Sequence, residues 1–71
     1  MILTIGEKIR ILLKRKGMTV TSLAGLLGMS RQNLINKLSR DNFSEREAHA
    51  IAAALDAEFI TVFRLADGTE L

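Results

Sequence analysis

The sequence predicts a mostly α-helical fold in which four helices are followed by a C-terminal β-strand or short hairpin. Three observations support this prediction. Four Ser or Thr residues of the N-cap type each precede a segment with helical apolar spacing. Glycines follow the first two of these segments, where a chain leaving a helix needs a positive φ. From Glu58 the spacing of apolar residues changes from helical to alternating.

The first helix is expected from about Ile5 to Lys16. Thr4 and Glu7 have the spacing of a capping box, and Gly17 ends the segment. One face of this helix carries the apolar residues Ile5, Ile9, Leu12 and Leu13. Lys14, Arg15 and Lys16 fall in the last turn, where cations interact favourably with the helix dipole.

The stretch from Met18 to Leu38 predicts two short helices joined by a tight turn. Thr19 and Ser30 are the expected N-caps of helices over about 20–27 and 31–39, and Gly28 lies at the turn. Ala24 is small enough for the second of these helices to cross closely over the first. We interpret Gly25 in the same way, as a site of close packing against a neighbouring helix. The pattern predicts a helix-turn-helix.

After the turn residues Asp41 and Asn42, Phe43 is expected to cover the edge of the core. Ser44 and Glu47 form a second capping box and begin the fourth helix. The inward residues of this helix are expected to be Ala48, Ile51, Ala52 and Leu55. His49 lies off that stripe and is interpreted as a surface residue.

The segment 58–65 has β-branched and aromatic residues on both of its faces. Asp67-Gly68 is a hairpin-turn signal with three residues left to return. A strand this apolar needs a partner. It can pair with residues 2–4 of its own chain or with the same strand of a second chain. The division predicted is therefore a core over residues 1–57 and a dimerisation element over residues 58–71, with the interface formed by Phe59, Ile60, Thr61, Val62, Phe63 and Leu65.

The net charge of +2 hides an uneven distribution of charge. Residues 1–40 carry eight Lys or Arg against one acid, whereas residues 41–71 carry two against seven. A basic half that coincides with a helix-turn-helix is typical of a DNA-binding surface. With one His, no Cys and no glycine-rich phosphate loop, the sequence does not predict an enzyme, a metal site or a cofactor. No segment is long and apolar enough for a membrane span, so a cytoplasmic protein is expected.

The segment KGMTVTSLAGLLGMSRQNL resembles the pattern of the lambda repressor/Cro-like (XRE) helix-turn-helix family over about residues 4–56. The resemblance implies a four-helix lambda repressor-like core that binds double-stranded DNA as a homodimer. Two departures stand out. Val20 occupies a position where the family often has a phosphate-binding Gln, and an apolar segment replaces the usual fifth helix.

The helix at 31–39 is then the recognition helix, and its periodicity turns Gln32, Asn36 and Arg40 away from Leu34 and Leu38. Arg31 is expected to lean towards the core and to bind a phosphate rather than a guanine. Ile35 either touches a thymine methyl group or packs against the fourth helix. The DNA-binding residues expected are Thr21, Ser30, Arg31, Gln32, Asn33, Asn36, Lys37 and Arg40.

A repressor is the favoured function, although activation remains open. One alternative is an interaction module of the same fold, such as an antitoxin or antirepressor, whose C-terminal strand docks on a partner protein. Another is a purely structural use of the fold.

Overall fold

The computed structural model describes residues 2–71, which form four α-helices. These are α1 (Ile5–Lys16), α2 (Val20–Leu27), α3 (Arg31–Arg40) and α4 (Glu45–Ala54). The helix bounds predicted from the sequence are confirmed, except that α3 extends one residue further. Within residues 2–71, no helix has the length and apolar character needed to cross a membrane.

Each helix begins with a side-chain N-cap. The hydroxyl oxygens of Thr4, Thr19, Ser30 and Ser44 each accept a hydrogen bond from the backbone N–H three residues later. At α1 and α4 the Glu at that third position also accepts from the backbone N–H of the cap residue, which completes both predicted capping boxes. The four starts are therefore fixed by residues within one turn of each helix.

Three of the helices end in a residue with left-handed backbone conformation. Gly17 and Gly28 have φ values of 65° and 68°, as the turn prediction required. The end of α3 is different, because Asp41 has a φ of 53° at a position where glycine is usual. Aspartate tolerates this conformation better than most residues, since its side chain can form local hydrogen bonds.

The core forms where α2 and α3 pack together, with α1 against α3 and α4 against α2. Leu23, Leu34 and Leu55 are fully buried at its centre. The predicted inward stripes of α1 and α4 are confirmed as buried or half-buried. Phe43 is half-buried against this core, also as predicted. The other buried apolar residues are Ile9, Leu13, Ala24, Leu38, Ala48, Ile51 and Ala52.

The close helix approach occurs at Gly6 and not at Gly25. A Cβ atom built on Gly6 would lie 2.6 Å from the carbonyl oxygen of Leu38, so α1 can approach α3 this closely only because residue 6 has no side chain. Gly25 is exposed, and a Cβ added there would have no neighbouring atom within 4 Å. The prediction of close packing at Gly25 was therefore wrong.

The predicted C-terminal β-strand is not formed among residues 2–71. A single antiparallel bridge joins Arg64 to Glu70, and the backbones of Phe63 and Leu71 exchange two hydrogen bonds around the turn at Asp67-Gly68. Residues 69–71 pair only with residues 63–65, so residues 58–62 have no backbone partner among the described residues. No backbone hydrogen bond joins residues 2–4 to the segment within the part of the chain described, so the intrachain pairing is absent as well.

Most large apolar side chains after Phe59 are exposed. Ile60, Val62, Phe63, Leu65 and Leu71 are all exposed, with Phe63 at 80%. The radius of gyration is 13.4 Å, compared with about 11 Å for a compact chain of this length. We call residues 60–71 the C-terminal turn segment.

Candidate nucleic-acid interface

The polar face of α3 is set by the two buried leucines on its opposite side. Leu34 and Leu38 lie one turn apart and are at most 5% exposed, which fixes the rotation of the helix about its axis. Ser30 begins the helix directly after the turn at Gly28. All of the predicted contact residues of α3 except Lys37 are exposed, namely Ser30, Arg31, Gln32, Asn33, Asn36 and Arg40.

Gln32 and Asn36 form an amide pair at the centre of this face. The Nε2 atom of Gln32 donates a hydrogen bond of 3.0 Å to Oδ1 of Asn36. The bond leaves the Nδ2 donors of Asn36 and the Oε1 acceptor of Gln32 available to a ligand. A donor and an acceptor side by side are what the edge of an adenine in the major groove requires.

Arg31 and Arg40 lie at the two ends of α3. Both are exposed, and no ion pair joins either of them to a carboxylate among residues 2–71. The sequence placed Arg31 close to the core, but the structure exposes it at the first turn. Since residues 19–40 contain no acid, the two guanidinium groups face an approaching phosphate without a nearby competing carboxylate in this stretch.

Lys37 differs from the two arginines. It is half-buried, and its Nζ atom lies 2.6 Å from Oε2 of Glu47 on α4. This lysine, together with the backbone N–H of Ser44, lowers the pKa of Glu47 from 4.5 to about 2. The positive charge of Lys37 is therefore balanced within the protein.

The N-terminal turn of α2 carries exposed hydroxyl groups. Thr21 is exposed, as its predicted role requires. The hydroxyl of Thr19 donates to Oγ of Ser22 over 3.0 Å and accepts from the backbone N–H of the same residue. Val20, which occupies the position where the resembled family often has a phosphate-binding Gln, is half-buried.

Two contacts that fix α3 were not identified from the sequence. Oδ1 of Asp41 accepts a hydrogen bond of 2.7 Å from the backbone N–H of Gly6, which ties the end of α3 to the start of α1. Lys37 and Glu47 tie α3 to α4. The Asp41 contact gives no local sequence signal, because its partner is 35 positions away and is a backbone group.

Among the predicted interface residues of the C-terminal region, Phe59 differs from the others in its exposure. Phe59 is half-buried and meets His49 edge-on, with ring centroids 5.2 Å apart. Ile60, Thr61, Val62, Phe63 and Leu65 are exposed. His49 is a surface residue, as expected, but it contacts Phe59 and lies 3.6 Å from Oε1 of Glu45. Thus Phe59 is held against α4 while the residues after it are exposed.

Among residues 2–71, no three His, Cys, Asp or Glu side chains gather as metal ligands would. The second helix of the helix-turn-helix presents exposed amides and cations.

The sequence model of the Cro/C1-type HTH DNA-binding domain matches residues 8–64, which is most of the chain. The protein belongs to this family. Comparison with the curated proteins and with the solved structures found no match.

Membership places the protein among DNA-binding transcription regulators, with double-stranded DNA as its partner. It also identifies α2 and α3 as the helix-turn-helix and α3 as the helix that occupies the position of the recognition helix. The family is typically non-enzymatic.

Proposed function

We propose that the protein is a sequence-specific repressor that acts in the cytoplasm as a homodimer, with α3 in the major groove of its operator. The observation that carries this proposal is the exposed face of α3. This face carries the hydrogen-bonded amides of Gln32 and Asn36. It also carries two exposed arginines that have no carboxylate partner among the described residues. Occupying an operator that overlaps a promoter would exclude the polymerase.

In this proposal Gln32 and Asn36 read base edges, because an amide offers one donor and one acceptor to adenine. Arg31 and Arg40 bind DNA phosphates at the two ends of the helix. The side chains of Asn33, Ser30 and Thr21 form hydroxyl or amide contacts with the sugar-phosphate backbone of the DNA. Ile35 is half-buried, which favours its packing role over contact with a thymine methyl group.

Selection of bound sequences from a random DNA pool tests this reading. We expect at least one A·T pair in each half-site, and a loss of about 1–3 kcal/mol on the best operator for Gln32→Ala or Asn36→Ala. Ser39→Ala is the matched control, since Ser39 is exposed on the same helix and has no assigned base contact. If both amide variants keep the wild-type base preference, α3 does not read the sequence.

The proposed dimer uses residues 58–71 as its interface. Its support is the apolar character of the C-terminal turn segment, in which five large side chains are exposed. Monomeric proteins rarely leave such a group of apolar side chains in water. Antiparallel pairing across a two-fold axis would place the half-sites as inverted repeats, about 34 Å apart from centre to centre.

The same exposed side chains favour one alternative, in which the segment docks on a different protein and the chain serves as an antitoxin or antirepressor. Sedimentation of the full-length chain separates the two readings. A dimer at micromolar concentration that dissociates on Phe63→Ser supports the homodimer. A chain that stays monomeric at high micromolar concentration supports the docking module.

A further inference from the structure

Of the three cations on α3, Lys37 alone is engaged by a carboxylate in the described chain. We propose that Lys37 is a positioning residue, which ties α3 to α4 through Glu47 instead of contacting a DNA phosphate. The inference rests on the proposed function, because it assigns roles within the same DNA-binding surface.

The first support is the geometry of the pair. The distance of 2.6 Å between Nζ of Lys37 and Oε2 of Glu47 is that of a short charge-assisted hydrogen bond. Both side chains are less exposed than a free surface pair, at 29% and 38%. Lys37 and Glu47 line the same cleft between α3 and α4, together with Leu34 and Phe43.

The second support is that Glu47 is held from the other side. Its Oε1 atom accepts a hydrogen bond of 3.0 Å from the backbone N–H of Ser44, which forms the capping box of α4. The carboxylate therefore cannot follow Lys37 outward without opening that box. One side chain thus connects the start of α4 to the last turn of α3.

The ion pair changes the number of DNA phosphates that the cations of α3 can neutralise. Each phosphate neutralised by a cation lowers the logarithm of the binding constant by about 0.9 per tenfold increase in salt concentration. A lysine already neutralised by Glu47 releases no counterion from DNA. The pair therefore lowers the affinity for DNA of any sequence and leaves base readout to the amides.

The test measures the salt dependence of DNA binding for isosteric variants. Lys37→Met keeps an unbranched apolar stem and removes the charge, and we expect it to leave the slope unchanged. Arg40→Met is the matched control on the same helix and should reduce the slope by about 0.9. Glu47→Gln keeps an oxygen for the capping box and frees Lys37, so it should steepen the slope by up to about 0.9 in the wild-type background but not with Lys37→Met.

A slope reduced by about 0.9 in Lys37→Met would overturn the inference while leaving the proposed function intact. A wild-type protein whose DNA binding has no salt dependence would instead overturn the proposed function. In that case the tie between the helices is judged by unfolding in urea. The destabilisation caused by Glu47→Gln should be smaller in the Lys37→Met background, and equal effects in both backgrounds would overturn the tie.

Exchange of the charges provides a rescue experiment. The double variant Lys37→Glu, Glu47→Lys restores an ion pair of opposite polarity between the same helices. Glu47→Lys and the double variant both lose the acceptor of the capping box, so these two are compared. If Lys37 positions α3, the double variant should be closer to wild type in stability and base preference than Glu47→Lys alone. Recovery of neither property in the double variant would count against the positioning role.

Discussion

Gly6 and Gly25 offer a matched pair of Gly→Ala substitutions with opposite expected effects. Both residues lie within helices, and neither has a positive φ. At Gly25 an added methyl group meets no atom within 4 Å, whereas at Gly6 it would lie 2.6 Å from the backbone oxygen of Leu38. The same substitution therefore measures the contribution of helix propensity to stability at Gly25 and that of packing between helices at Gly6.

The expected magnitudes follow from the two environments. Gly25→Ala should gain up to about 1 kcal/mol in the free energy of unfolding, because alanine is the better helix former. Gly6→Ala must push α1 away from α3, and overpacking of this kind costs about 1–3 kcal/mol. It also strains the hydrogen bond from the Gly6 N–H to Asp41, which is worth about 1.5–3 kcal/mol when the acceptor is charged. The net loss at Gly6 should be about 2 kcal/mol or more.

Urea unfolding followed by circular dichroism measures both effects. A domain of 71 residues has a stability of about 4–10 kcal/mol, so the loss at Gly6 is a large share of the total. In thermal melts, 1 kcal/mol corresponds to about 4–8 °C at this size. The reasoning is refuted if Gly6→Ala is as stable as wild type, since α1 and α3 would then not be in contact at residue 6.

Four further outcomes are expected from the geometry of the helix ends and of the recognition face. Gly28→Val should unfold the turn, since a β-branched residue tolerates a φ of 68° poorly; an unchanged thermal melt would count against the turn. Asp41→Ala should be less stable than Asp41→Asn, because only asparagine keeps an acceptor for the Gly6 N–H and tolerates the positive φ. The urea midpoints of the two variants measure this difference. Stabilisation by Glu47 should be complete above pH 4.5 and lost as the pH falls towards 2, because its pKa is lowered in the folded state. Unfolding of wild type and Glu47→Gln across this range should therefore show a difference that narrows in acid. Finally, the losses of operator affinity in Gln32→Ala and Asn36→Ala should not add in the double variant, since the two amides are bonded to each other.

The helices and their core could be predicted because their signals are local. Each N-cap and capping box is contained in four consecutive residues, and the inward stripes follow from the helical period. The exposure of Gln32 and Asn36 followed from the position of Leu34 on the same helix. The positions of such residues can be predicted without knowledge of the tertiary structure.

The rest depended on contacts between distant parts of the chain. Gly25 looks like a packing glycine in sequence, and Gly6 looks like an ordinary residue of a first turn. Only the crossing of α1 over the end of α3 assigns the close approach to Gly6. Similarly, the ion pair that engages Lys37 joins two helices across a loop, so the sequence alone did not indicate it.

The C-terminal strand was predicted from β-propensity, which reports a residue's fit to a sheet that must already exist. Among the described residues only one isolated bridge, between Arg64 and Glu70, forms around the turn, so no sheet is present for residues 58–62 to join. The alternating pattern of β-branched and aromatic residues from Phe59 to Leu65 therefore does not by itself form a strand.

The local capping of the helices has a consequence for how fast the protein folds. The loops between the helices contain only three or four residues, and each helix start is fixed within its own first turn. Small helical domains with mostly local contacts fold in microseconds to milliseconds. The slowest step should be the docking of α1 on α3, which joins residues 35 positions apart through Gly6 and Asp41. A newly made chain would thus reach its folded form far faster than the ribosome adds one residue.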